Sequence, residues 1–397
     1  MTYPTAIGCG CLLGAGGLSP LHAAQWSLQP SFMWLTDYDS NRLIEPNAPG
    51  SEQAVLSADL QLQRSMENMQ ISLEPHFDVR RFSDSIYGPG DDRSLAGALS
   101  WSSERNQLSL NGSIANANTL TTELLETGII NTDTRRRSET ASAELDMART
   151  EEHLFFTQVS YLGASYAGPA AGLLPGYRYE SGALGERFVL SEHLTLSVSP
   201  FGDILHSDRA GGSSHEVGGQ VELQYSHSER TTFDVQVGES ERVLSVPATG
   251  TYVLTPTTRF KPEASVGTNV NATATRKLER SSVSLAYTRS LVPYGNGFLV
   301  ERQQITASIK HSLTEYLDAD LSAFRIDNND STVRLGLDRR FYDNVGGGLS
   351  WRVSESWTLR SEATTSWAPP INYPHTVHEW RTALTMTWKP IPKIISR

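Results

Sequence analysis

Period-two alternation of apolar and polar residues recurs along the whole chain, and it limits the fold more than any other feature. In an extended strand successive side chains point to opposite faces, so alternation makes one face apolar and the other polar. Between Gln70 and Arg80, Ile71, Leu73, Phe77 and Val79 share one face, and Gln70, Ser72, Glu74, His76, Asp78 and Arg80 share the other. Val217, Val221, Leu223 and Tyr225 alternate with Glu216, Gln220, Glu222, Gln224 and Ser226. Val283, Leu285, Tyr287 and Leu291 alternate with Ser282, Ser284, Thr288 and Ser290. Trp380, Thr382, Leu384, Met386 and Trp388 alternate with Arg381, Thr385 and Thr387. No convincing amphipathic helix accompanies these segments, and no apolar run reaches the ~18 residues of a membrane-spanning helix. Only 38% of the 397 residues are hydrophobic. That argues against helical spans but not against a barrel, whose strands show lipid only every second residue.

A soluble β-sandwich would alternate in the same way, so the connections must separate the two. One class is short and chemically repetitive: Ser103-Glu104-Arg105, Thr150-Glu151-Glu152, Ser191-Glu192-His193, Ser228-Glu229-Arg230, Leu278-Glu279-Arg280, Thr314-Glu315-Tyr316 and Ser354-Glu355-Ser356, with Met66-Glu67-Asn68 a looser member. Hydroxyl and acidic side chains suit tight turns because they accept bonds from nearby backbone N–H groups. The other class is longer and rich in Gly, Pro, Asn and Asp, as in Asp37 to Pro49, Ser83 to Arg93, Ala117 to Asp133, Gly163 to Pro175, His206 to Ser214 and Ala368 to His375. Strict alternation of short turns with long loops marks outer-membrane barrels, with the short turns in the periplasm. The expected fold class is all-β: a transmembrane antiparallel up-and-down β-barrel of about 18 strands, with both termini in the periplasm. Asp327 to Asn344 could be one long loop or hide a hairpin around Val333, Leu335 and Leu337, which leaves about 16 or 20 strands open. Trp101, Phe155, Tyr225, Phe233, Trp351, Trp357 and Trp388 all lie near short turns or the C-terminal end, as a girdle at one bilayer interface requires.

Residues 1–24 read as a signal peptide and 25–397 as the barrel. Ala6 to Leu18 has the length of a signal core, and Leu21-His22-Ala23-Ala24 supplies small residues for cleavage after Ala24. No Lys or Arg precedes the apolar run, so either the signal is a weak one or the true start lies upstream of Met1. Both cysteines, Cys9 and Cys11, fall inside this segment. A mature chain without cysteine suits passage through an oxidising periplasm. Ile7-Gly8-Cys9 has the outline of a lipoprotein box but lies close to Met1.

Tyr287-Thr288-Arg289-Ser290-Leu291-Val292-Pro293-Tyr294-Gly295-Asn296-Gly297-Phe298-Leu299-Val300, then Leu313-Thr314-Glu315, resembles a class of proteobacterial outer-membrane β-barrel proteins commonly encoded with exopolysaccharide or exosortase (PEP-CTERM) systems. Gly346-Gly347-Gly348-Leu349-Ser350-Trp351-Arg352 and the ending Leu384-Thr385-Met386-Thr387-Trp388 are similar to other stretches of that class. The resemblance covers mainly residues 280 to 397. It implies an outer-membrane location, a link to polysaccharide, and polysaccharide-export proteins as partners.

No catalytic constellation stands out. His375 and His378 sit in a loop, where a spacing of three carries no ligand geometry. Asp327-Asn328-Asn329-Asp330 lacks a closing glutamate for calcium. Gly16-Gly17 and Gly346-Gly347-Gly348 introduce no phosphate-binding helix. No cofactor or metal is expected. The inferred inner face is more informative. It would carry Asp59, Glu74, His76, Asp78, Arg80, Glu144, Asp146, Glu222, Asp234, Lys310, Asp318, Asp320, Arg360, Glu362 and Arg381. Charges are costly on a lipid face, so these must line a lumen or pack as ion pairs. A cylinder of about 18 strands is too wide for side chains to fill, so it holds water unless a loop folds in. The formal net charge of -11 would disfavour anions. The expected function is a channel for small hydrophilic solutes or an exported polysaccharide. The alternatives are a non-transporting barrel with functional loops and, third, a barrel enzyme. Expected partners are outer-membrane lipid and lipopolysaccharide and the barrel-assembly machinery; nucleic acid is not among them.

Overall fold

The computed structural model describes residues 25–396 except 43, 45, 85, 86, 88, 89, 120–133, 169–173, 209–211, 248–259, 294–298, 330–339 and 369–375. Each alternating segment forms a strand. In chain order these are β1 (Gln25–Asp39), β2 (Ser51–Ser65), β3 (Met69–Phe82), β4 (Gly90–Ser102), β5 (Asn106–Asn118) and β6 (Arg135–Ala148). Next come β7 (His153–Ala167), β8 (Tyr177–Ser191), β9 (Leu194–Ser207), β10 (Ser213–Ser228), β11 (Thr231–Pro247) and β12 (Phe260–Lys277). The last are β13 (Ser281–Pro293), β14 (Leu299–Ser312), β15 (Leu317–Asn329), β16 (Arg340–Arg352), β17 (Trp357–Ala368), β18 (Val377–Trp388) and the short β19 (Lys393–Ser396). Every long strand pairs antiparallel with its neighbours in sequence, and β18 closes on β1 from Phe32↔Trp388 to Asp39↔Arg381. The result is a closed barrel of 18 long strands. The uncertain stretch contributes the end of β15 and the start of β16; Val333, Leu335 and Leu337 lie outside the described residues.

All the short turns lie at one end of the barrel. Their hydroxyl residues cap them: Thr150 Oγ1 accepts from the backbone N–H of His153 at 3.1 Å, Thr314 Oγ1 from Leu317 at 3.0 Å, and Ser354 Oγ from Trp357 at 3.2 Å. Both ends of the strand array also lie here. Beyond Trp388 the chain passes Pro390 and Pro392, which cannot donate to a ladder. It then resumes pairing with β1 as β19, Leu28↔Lys393 to Gln25↔Ser396. Gln29 Nε2 fills the interruption by donating to the Pro390 carbonyl at 2.8 Å.

The outer face is an apolar band. Leu56, Leu73, Leu95, Ile114, Val221, Leu285, Ile305 and Leu321 are exposed there. Trp101, Phe155, Tyr225, Phe233, Trp351, Trp357 and Trp388 share that outward face at the short-turn end. Phe32 stacks on Trp388 at 5.7 Å between centroids. Toward the long loops the band ends in outward-facing ion pairs, Arg81–Asp91 at 3.0 Å, Arg137–Glu139 at 2.7 Å and Arg325–Asp343 at 3.6 Å. Trp357 and Trp367 sit on the outer face of β17. Their spacing is about 33 Å along the strand, or about 25 Å of height after a ~40° tilt, which matches the lipid band of such barrels.

Two neighbouring residues test the face assignment. Leu223 is exposed outward, and Glu222 points inward beside Gln224, whose Nε2 donates to it at 2.7 Å. Leu223→Arg should cost about 2–4 kcal/mol of folding free energy in vesicles, whereas Glu222→Arg should fold normally; equal losses would reverse the faces. Sidedness is checked by labelling intact cells: a cysteine at Ser83 should react with an impermeant maleimide, and cysteines at Glu192 and Glu355 should not.

Candidate functional site

Alternation places charge on the inner wall. All the residues expected there occupy strand positions opposite in parity to the exposed apolar row. Most are drawn into ion pairs. His76 bridges Asp59, at 2.5 Å from Nδ1, and Asp78, at 3.1 Å from Nε2. Arg80 continues the chain to Asp78 at 2.9 Å and Asp92 at 3.2 Å. Arg360 joins Asp320 and Glu362, each at 3.0 Å. Lys310 lies 3.4 Å from Asp318, and Arg381 3.0 Å from Asp37. Glu144, Asp146, Glu222 and Asp234 gather toward the short-turn end around one cation, Arg187, whose nearest carboxylate is Asp146 at 3.8 Å. Glu74 stands exposed on the same wall with no ion-pair partner among the described residues.

One seam among the described strands opens early, and there the interior is narrowed. β11 and β12 stay paired up to Pro247↔Phe260, and β13 and β14 up to Pro293↔Leu299. Between β12 and β13, however, pairing stops at Val270↔Arg289. Beyond that pair β13 leaves β12, and the β13–β14 tip turns into the barrel while β14 stays paired with β15 as far as Glu301↔Asn329. Residues whose parity is outward in the wall then meet the inner surface of β7, β8, β9 and β11. Leu291 and Leu299 are each 4% exposed and pack with Leu162, Ala164, Tyr177, Leu205 and Leu244. Leu291 therefore departs from the expected lipid-facing row of Val283, Leu285 and Tyr287: it keeps the parity, but its strand has moved inward. The seam opens beside Glu239 and Glu241, exposed on the outer face of β11, so the unpaired edges sit in water rather than lipid.

A buried ion network holds the tip. Arg242 Nη1 donates to Glu301 Oε2 and Arg242 Nε to Glu216 Oε1, both at 3.2 Å. Arg289 donates to the same Glu301 from Nε at 3.1 Å and Nη2 at 3.2 Å. Asn269 ties the wall side together, accepting from Arg242 Nη2 at 2.7 Å and donating to Glu216 at 2.8 Å. Ser240 Oγ also donates to Glu216. The side chains of Arg242 and Glu216 are only 2% exposed. The guanidinium of Arg242 fits because it lies directly over Gly267, where any Cβ would collide with it.

A second element enters from the β1–β2 connection. Ile44 has φ 50°, a region that β-branched residues avoid at a cost of about 1–3 kcal/mol. Burial with Ile326, Tyr342 and Ala368 against the inner wall offsets that strain. Arg42 anchors the same segment by donating to Asp37 and Gln53, each at 2.6 Å.

The residues that build the constriction, Arg242, Glu216, Arg289 and Glu301, were not among those expected to line the site. A signal did exist: Leu291-Val292 and Leu299-Val300 each place two apolar residues in succession, which breaks the alternation of a wall strand. Among the described residues, no group of three or more His, Cys, Asp or Glu side chains is arranged to hold a metal ion. Asp330 and His375 lie outside the described residues.

No family model and no curated protein matches this chain. Solved structures similar to it include Pseudomonas aeruginosa OpdQ, at 10% identity and TM-score 0.49 over 92% of this chain and 99% of that one. Acinetobacter baumannii OccAB1 is similar at 10% identity and TM-score 0.49, over 93% and 97% of the two chains. Pseudomonas aeruginosa OccK8 (OprE) is similar at 8% identity and TM-score 0.49, over 93% and 98%.

Removing Glu301 leaves Arg242 buried with half of its counter-charge. Glu301→Ala should therefore cost about 3–5 kcal/mol and expose the tip to protease added from the long-loop side. Gly267→Ala should act in the same direction by displacing the Arg242 guanidinium. Wild-type unfolding midpoints and protease resistance in both variants would remove the network from this role.

Proposed function

We propose that this barrel is an outer-membrane channel for small hydrophilic solutes, with the inturned β13–β14 tip as its constriction. The observation that supports this best is the tip itself. A barrel of this strand number encloses more space than its side chains fill, and here one wall hairpin narrows that space while the rest of the inner face stays polar and charged. Narrowing by a folded-in segment suits solutes that pass singly. It favours them over a polysaccharide chain, the other cargo the resemblance of residues 280–397 implies. The carboxylates around Arg187 make the short-turn end of the lumen negative, which favours cations and neutral solutes over anions.

The second reading is a non-transporting barrel in which the network of Arg242, Glu216, Arg289 and Glu301 is a permanent closure. Arg242, Glu216 and Glu301 are buried and every member is paired, as in a static seal.

Planar-bilayer recording separates the two. Wild-type protein should give small ohmic steps. Replacing residues 291–299 with a two-residue Asn-Gly turn should raise the unit conductance, because the wall hairpin is shortened without reaching into the lumen. Glu222→Arg combined with Asp234→Arg should lower the cation preference measured from reversal potential in a salt gradient. Absence of conductance in wild type and shortened variant alike would leave the non-transporting barrel.

A further inference from the structure

Between the inturned tip and the wall lies a cavity of about 190 Å³. We propose that it is a binding station for a small neutral polyol, of the size of a single sugar ring. The proposal names a substrate class for the channel reading above and takes that reading as its frame.

The size excludes larger occupants, since pockets for drug-sized ligands span about 300–1,000 Å³. The chemistry of the lining selects among small ones. One side is an aromatic platform. Phe201 lies flat on the inner wall because Gly218 and Gly238 leave room for it: a Cβ at 218 would stand 2.9 Å from the ring, and one at 238 would stand 3.4 Å away. Tyr179 adds a second aromatic surface. An aromatic face suits the C–H face of a ring, as in most small-molecule sites, where a few polar groups then fix orientation.

Those polar groups are unspent. The side-chain amides of Gln220, Gln236 and Asn271 line the cavity and have no hydrogen-bond partner among the described residues. Each amide offers both donors and an acceptor, which matches a hydroxyl that can also do both. Asp203 also lines the cavity, where the Tyr179 hydroxyl donates to its carboxylate.

Charge on this wall is otherwise cancelled. Glu216 and Glu301 are neutralised by Arg242 and Arg289. That leaves mainly neutral hydrogen-bonding groups with one carboxylate, Asp203, which disfavours anions. Amides outnumber that carboxylate, which makes a polyol a closer match than an ammonium.

The test is calorimetric titration of the detergent-folded full chain with D-glucose, D-gluconate and D-glucosamine, which have similar size and differ in charge. Glucose should bind saturably and gluconate should not. Gln236→Leu and Asn271→Leu should each weaken glucose binding about tenfold, as the loss of one hydrogen bond to the ligand predicts. Ser142→Ala, on the inner wall of β6, should bind as wild type. Folding of each variant is checked by its heat-modifiable gel mobility. Saturable glucosamine or gluconate binding without glucose binding would overturn the proposal, as would absence of glucose binding by folded wild type. Conductance without glucose binding would sink the station and spare the channel. Glucose binding without conductance would do the reverse.

Discussion

Everything in this structure depends on satisfying backbone hydrogen bonds where no water can reach them. In lipid each unpaired N–H or C=O costs several kcal/mol, so a strand can span only if both of its edges are paired. The closure of β18 on β1 meets that demand for the whole array. It is completed by β19, which covers the start of β1 after the prolines have interrupted the ladder. The same demand explains where the wall may open. β12 and β13 separate only beyond Val270↔Arg289, beside the outward carboxylates Glu239 and Glu241, where water replaces lipid.

Opening the wall there creates a second requirement. The tip that turns inward carries charges and apolar side chains that a wall strand would show to the outside. The apolar ones find the inner surface of β7 to β11, and Glu301 finds Arg242 and Arg289. Burying charge is costly unless each member is paired and hydrogen-bonded. Here Glu216 Oε1 alone accepts from Arg242, Ser240 and Asn269. Glycines make the geometry possible. Gly267 admits the guanidinium of Arg242, and Gly218 and Gly238 admit the ring of Phe201, so large side chains lie flat on a wall that is otherwise pleated outward and inward by turns. The constriction, its fastening and the cavity behind it are thus one arrangement.

The alternating segments by themselves determined the strands, the two faces, the capped short turns and the aromatic row at one interface. These are local properties. A strand's parity follows from its own residues, and a hydroxyl two or three residues before a backbone N–H can cap a turn without help from the rest of the chain. The ladder places the charged residues expected on the inner wall at inward positions for the same reason. Two features escaped this reasoning. β19 is short and lies between prolines and the end of the chain, so its pairing depends on β1, more than 350 positions away in sequence. Leu291 obeys alternation yet faces the interior, because parity assigns a side chain to a face of its strand and says nothing about where that strand runs. Whether β13 stays beside β12 or leaves it is decided by partners scattered over the chain: Leu162, Leu205, Arg242 and Gly267 acquire meaning for Leu291 and Glu301 only once the barrel has closed and brought them together. Sequence periodicity thus settled that this protein is a membrane barrel with a charged inner face. Tertiary contact alone decided that one hairpin narrows it, because the free energy that holds the hairpin comes from residues that are neighbours only in the closed fold.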